Sequence, residues 1–274
     1  MKVAISNIAW HPGQDAAVAD LLASLGIGGV EIAPTAIWEQ PTRCDRSELD
    51  AYRAWWSDRG IQIVAIQALL YGQPDLLVFG DTRTRKRTLA YLQEMIRVAA
   101  RLGARAMVFG SPSNRLRADL DSPRALEIAA EMFHTLGETA HRAGTRVCIE
   151  ANAPAYGCDF IQTTAEAIEL VRRVGHQGFR LHLDTSTMAL NGEDYGAVIA
   201  AGAPLAAHFH VSEPHLERVG ENGSIDHAQV STALHASGYA HWVSIEMSAV
   251  QPERSLAVVR ESLQFVLGRY KDAT

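Results

Sequence analysis

Four short apolar runs in the second half of the chain each end in a side chain that can bind a divalent metal: Val147-Cys148-Ile149-Glu150, Leu181-His182-Leu183-Asp184, Ala207-His208-Phe209-His210 and Val243-Ser244-Ile245-Glu246. A carboxylate or imidazole at the last position of a buried strand points out of the packed core into whatever lies above it. Taken singly, a glutamate at a strand end more often caps a helix or forms an ion pair, because buried unpaired carboxylates are rare. Four such ends change the reading, since like charges gathered without a cation repel one another. Three carboxylates, Glu150, Asp184 and Glu246, with the imidazole of His210 would suit one divalent ion. Oxygen-rich ligation favours manganese, magnesium or cobalt over a closed structural zinc site.

These residues need a scaffold that brings them together. Short apolar runs alternate with longer amphipathic segments from end to end, and the periodicity predicts strands over 3–7, 29–33, 62–67, 106–110, 146–150, 180–184, 206–211 and 242–246. Helices are expected over 15–25, 46–59, 82–102, 122–143, 164–174, 193–201, 226–237 and 252–268. Asp121-Ser122-Pro123 has the chemistry of a helix start, and Gly26, Gly60, Gly103, Gly144 and Gly238 follow helix ends shortly before a strand. Strands separated by helices run parallel, and eight of them close into a (β/α)8 TIM barrel, here a single domain over residues 1–274. A doubly wound open sheet is disfavoured because Ser6-Asn7-Ile8-Ala9-Trp10 stands where a glycine-rich phosphate fingerprint would follow the first strand.

The composition agrees. With 274 residues and 47% apolar side chains, the chain can bury about 75% of its unfolded surface around one core. A net charge of −6 argues against a nucleic-acid partner, and no apolar stretch approaches a membrane span. The run Arg83 to Arg87 reads as a solvated helix start, and the odd, widely spaced Cys44, Cys148 and Cys158 suit a reducing, cytoplasmic setting.

In a parallel barrel the active site forms at the C-terminal strand ends, which here deliver Asn7, Glu31, Gln67, Gly110, Glu150, Asp184, His210 and Glu246 to one face. His208 lies two residues before His210 on the same side of its strand and is expected to support the site from below or to pack in the core; His182 stands in the same relation to Asp184. Glu31 is expected to be structural, holding the second loop, or else to line the pocket floor. His11 and His227 read as surface residues, whereas His215 follows strand seven and could face the site. Trp10, Trp38, Tyr71 and Tyr156 follow strand ends and could form an aromatic wall for a sugar. Ser111, Ser113 and Asn114 could hold a distal hydroxyl or a phosphate, or form a solvated turn.

Several of these segments resemble the xylose isomerase-like barrel superfamily of sugar isomerases and epimerases: Gly29-Val30-Glu31, Ile149-Glu150-Ala151-Asn152, Leu183-Asp184-Thr185, His210-Val211-Ser212-Glu213 and Ser244-Ile245-Glu246-Met247. Within it the metal-site pattern is most similar to that of D-tagatose 3-epimerase and related ketose 3-epimerases. The resemblance implies Glu150, Asp184, His210 and Glu246 as metal ligands, with Glu150 and Glu246 also as the catalytic bases. It implies proton abstraction from a ketose or ketose derivative through an enediolate. It also implies a homodimer or homotetramer. Asp226, in Gly223-Ser224-Ile225-Asp226, is expected to cap the helix that follows.

The sugar-gripping residues of those epimerases are replaced here. Thr187 stands where they have histidine, Leu216 where they have arginine, with Arg218 out of register, and Tyr156 where they have glutamate. Gln67, Asn152, Tyr156, Ser212, Glu213 and His215 are the polar groups expected to contact a small carbohydrate instead. The same chemistry could end in β-elimination, as in a lyase of the inosose dehydratase kind or one acting on a keto-glycoside. A DNA-repair endonuclease is disfavoured by the acidic balance and by Asp226-His227 being adjacent rather than spaced as Asp-x-His.

Overall fold

In the computed structural model, which describes residues 1–271, strands β1 (Lys2–Ser6), β2 (Gly29–Ile32), β3 (Gln62–Ile66), β4 (Ala106–Phe109), β5 (Val147–Glu150), β6 (Phe179–Asp184), β7 (Ala206–Ser212) and β8 (Trp242–Glu246) form a closed barrel in sequence order. All neighbours are parallel, and β1 pairs with β8 to close it. The helices are α1 (Asp15–Ser24), α2 (Arg46–Ser57), α3 (Thr82–Leu102), α4 (Ser122–Arg142), α5 (Thr164–Val174), α6 (Thr185–Leu190), α7 (Tyr195–Gly202), α8 (His227–Ala236) and α9 (Pro252–Tyr270). The expected elements are all present, with ends shifted by at most two residues. One helix goes beyond them: α6 starts directly after β6.

Side-chain chemistry fixes the helix ends. Asp45 with Glu48 and Thr163 with Glu166 form capping boxes on α2 and α5, and the Asp121 carboxylate accepts from Arg124 N on α4. Asp226 accepts from Ala228 N and Gln229 N, so it caps α8 as expected. The five predicted stop glycines all have positive φ, the backbone state that lets the chain turn from helix to strand.

Alternation along the strands decides which residues reach the site. Ile149, Leu183, Phe209 and Ile245 belong to the main apolar cluster that the helices cover, so their neighbours Glu150, Asp184, His210 and Glu246 turn to the barrel interior. The smaller residues Ala4, Val64, Ala65, Ala106 and Cys148 pack as a separate cluster. The strand register staggers the four polar ends: Glu150 pairs with His182, Asp184 with His210, and Glu246 with Ser212.

Candidate metal centre

Donor atoms of Glu150, Asp184, His210 and Glu246 all lie within 4.8 Å of one another at the C-terminal end of the barrel. His210 Nδ1 is 3.3 Å from Glu246 Oε2 and 3.9 Å from Glu150 Oε1. It is buried and has no hydrogen-bond partner. An orphaned imidazole nitrogen facing gathered carboxylates is a donor set short of its acceptor, and a divalent cation would satisfy it.

The electrostatics point the same way. Burial, then repulsion from Glu246 and Asp184, pushes the Glu150 carboxyl up to about 8. Burial and Glu246 raise Asp184 as well. A bound cation would reverse this by favouring the ionised carboxylates.

Three of the four donors, Glu150, Asp184 and His210, are held by other groups. His210 Nε2 lies 3.0 Å from Glu31 Oε2 and 3.1 Å from Glu31 Oε1, and His208 Nε2 lies 3.2 Å from the same carboxylate. Burial alone would raise Glu31, but His210 and His208 outweigh it and hold this fully buried acid well below its usual range. Burial would likewise lower His210, yet Glu31 and Glu246 keep it well above the ordinary value. Glu31 thus does more than hold the second loop, as it orients His210 so that Nδ1 faces the other donors. A carboxylate on the far ring nitrogen is the usual support of a metal-binding histidine. His182, with both ring nitrogens unpartnered, lies beneath Glu150 with Nε2 3.5 Å from Oε1.

Asp184 Oδ2 accepts from Thr187 N at 2.8 Å and caps α6, while Oδ1 accepts from Ser212 Oγ. Glu150 Oε2 accepts from Asn152 Nδ2 at 3.0 Å. Asn152 is in turn fixed by Arg115, a fully buried residue that no sequence signal singled out. Arg115 Nη2 donates to Asn152 Oδ1 and Nη1 to the Glu150 carbonyl, each at 2.8 Å.

Glu150 and Glu246 line a cavity of about 540 Å³ together with Gln67, Tyr71, Gly110, Ser111 and Leu216. Of the expected sugar-contacting residues, Gln67 is on this wall, with Oε1 unpartnered. The other five have different neighbours. Asn152 and Ser212 support Glu150 and Asp184 as described. Tyr156 OH sits 2.8 Å from Ser186 Oγ and accepts from His215 N at 2.9 Å, and His215 itself is exposed. Glu213 is turned away and buried, with Oε1 3.0 Å from His227 Nε2 and Oε2 accepting from Ser224 Oγ. His227 is accordingly not a surface residue: it is 3% exposed and wedged between Glu213 and Tyr270 OH.

Of the aromatic candidates, Tyr71 lines the cavity, whereas Trp10 is buried with Nε1 on Asp15 and Trp38 packs edge-on against Tyr52. Asn114 is buried and donates to the Gln73 and Leu76 carbonyls, so it pins a loop and has no amide hydrogen left for a substrate.

Gly110 marks how tightly the site is built. A Cβ there would collide with Glu150 Oε2 and come within 3.4 Å of Asn152 Oδ1. Gly110→Ala is therefore expected to displace the Glu150 carboxylate, destabilising the fold by about 1–3 kcal/mol and weakening metal binding. A thermal melt and a metal titration check this, and an unchanged affinity would show that Glu150 does not need its present position.

The sequence matches the family model described as xylose isomerase-like TIM barrel over residues 19–267. Among characterised proteins it is 27% identical to the L-ribulose 3-epimerase of Mesorhizobium japonicum over 184 residues, 67% of this chain and 61% of that one. It is 28% identical to the D-psicose 3-epimerase of Agrobacterium fabrum over 116 residues, 42% of this chain and 39% of that one. The aligned segments thus span less than two thirds of either relative. A crystal structure of D-psicose 3-epimerase in the presence of D-fructose superposes with a TM-score of 0.83 at 20% identity, covering 99% of this chain and 100% of the other, which speaks for the fold. No helix among the described residues is long and apolar enough to cross a membrane.

Proposed function

The chain belongs to the xylose isomerase-like TIM barrel family, and from that premise we propose that it is a divalent-metal-dependent sugar epimerase or isomerase acting on a ketose or ketose derivative. One observation carries the reading: two carboxylates of a four-donor cluster, Glu150 and Glu246, also line the cavity where a substrate would lie. The relatives named L-ribulose 3-epimerase and D-psicose 3-epimerase support the same reaction class.

Glu150, Asp184, His210 and Glu246 would hold the ion, with manganese, cobalt or magnesium suited to three carboxylates and one imidazole. When bound, the metal acidifies the hydrogen on the carbon next to a coordinated carbonyl and stabilises the negative charge left behind. Proton transfer belongs to the protein. Glu150 on β5 and Glu246 on β8 approach the cavity from strands separated by β6 and β7. One takes the proton from one face of the carbon, the other returns a proton to the opposite face, and the centre is inverted. Asp184 and His210 position, and Gln67 Oε1 offers an acceptor to a sugar hydroxyl. Three free cysteines suit a reducing compartment such as the cytoplasm.

The test is to measure bound metal in the purified protein and follow carbon-bound hydrogen exchange of a ketose panel in deuterated water by NMR. Exchange that depends on a divalent ion and gives an epimer with one deuterium on carbon and no loss of water or another leaving group is expected. A product absorbing in the ultraviolet would show elimination instead, and metal-independent exchange would overturn the proposal.

A further inference from the structure

The cavity that holds Glu150 and Glu246 does not end at the space for one sugar. A second compartment of about 440 Å³ adjoins it, and the two share Ala68, Tyr71 and Ser111 as a common wall. The first alone lies well inside the roughly 300–1,000 Å³ range of small-molecule sites, and the pair together reach its upper end.

The outer compartment is preformed. Asn114 donates to the carbonyls of Gln73 and Leu76, and its own carbonyl accepts from Val78 N, each at 2.8 Å. These bonds tie the loop after β3 to the loop after β4, the two sides of the compartment. At the shared wall, Ala68 and Ser111 hold φ of 55° and 47°, left-handed backbone that residues with a Cβ adopt where the surroundings require it.

Its chemistry narrows the occupant. Tyr71 is 72% exposed, and an aromatic face in a groove matches the C–H face of a pyranose ring. Ser111, Ser113 and Gln73 add hydroxyl and amide groups for ring hydroxyls. No lysine or arginine lines the compartment, so a neutral hydroxylated ring fits it and a phosphate does not.

Building on the ketose reading of the metal site, we propose that the substrate is a ketose or keto sugar carrying a second sugar ring on its far end, with that ring seated against Tyr71 in the outer compartment. The experiment reads binding rather than turnover. The magnesium-loaded protein is titrated calorimetrically with D-fructose and with three glucosyl-fructoses, isomaltulose, leucrose and maltulose, which carry glucose on O6, O5 and O4. Saturation-transfer NMR then maps which ring touches the protein.

At least one disaccharide is expected to bind about tenfold more tightly than D-fructose, with saturation on its glucosyl protons. Both Tyr71→Ala and Ser113→Trp, at exposed positions, should bring the two affinities within about twofold. Three disaccharides that bind no better than D-fructose would overturn the proposal, as would an advantage that survives both substitutions. Tight disaccharide binding with no hydrogen exchange on any ketose would instead overturn the epimerase reading and leave the compartment's assignment standing.

Discussion

Glu150→Gln and Glu246→Gln are each expected to slow inversion of the substrate carbon by about 10²–10⁴-fold, the usual contribution of a positioned general acid or base. Glutamine keeps an oxygen toward the ion but cannot accept the proton, so the assay is run at saturating metal. Two bases on opposite sides predict more than a loss of rate. Each variant should retain solvent exchange with one epimer only, and the two variants should retain it with different epimers. NMR of both epimers in deuterated water reads this directly, and full turnover in both variants would refute the two-base scheme. The expectation rests on the placement of the two carboxylates on β5 and β8, lining one cavity.

Glu31→Gln is expected to weaken divalent metal binding by about 10–100-fold, the typical effect of removing a carboxylate behind a metal-binding histidine. Glu31 is fully buried and faces two imidazoles, and its charge raises His210. Glutamine preserves shape and one acceptor but removes the charge that fixes which ring nitrogen carries the proton. Metal competition titrations give the affinity, and a thermal melt of the metal-free protein separates a packing defect from a ligand defect. An affinity equal to that of the parent protein would show that His210 is oriented by its strand alone.

The barrel and the clustering of Glu150, Asp184, His210 and Glu246 are legible in the sequence because both follow from short-range pattern. Apolar runs mark strands, glycines mark helix stops, and the last residue of a run points to the rim. The supporting partners were not legible, since they depend on which side chains meet across the barrel. Glu31 and His210 are separated by 179 residues, and nothing local in Gly29-Val30-Glu31 announces the contact. Arg115 sits in a polar turn where arginine usually faces water, and only the closed fold buries it under Asn152. Glu213 and His227 read as a rim acid and a surface histidine, but folding of the loop between them pairs the two below the surface. Helix α6 was missed because six residues carry too little periodicity. Its capping residue is Asp184, whose Oδ2 accepts from Thr187 N.

The support of the donors by the protein itself has a consequence for ion exchange. Both Asp184 oxygens, the far nitrogen of His210 and one Glu150 oxygen are tied to the protein by hydrogen bonds. A cation seated there would meet three side chains already oriented by the protein, and its departure would leave those three in place. Competition among divalent ions at this rim would then turn on their radius and hydration.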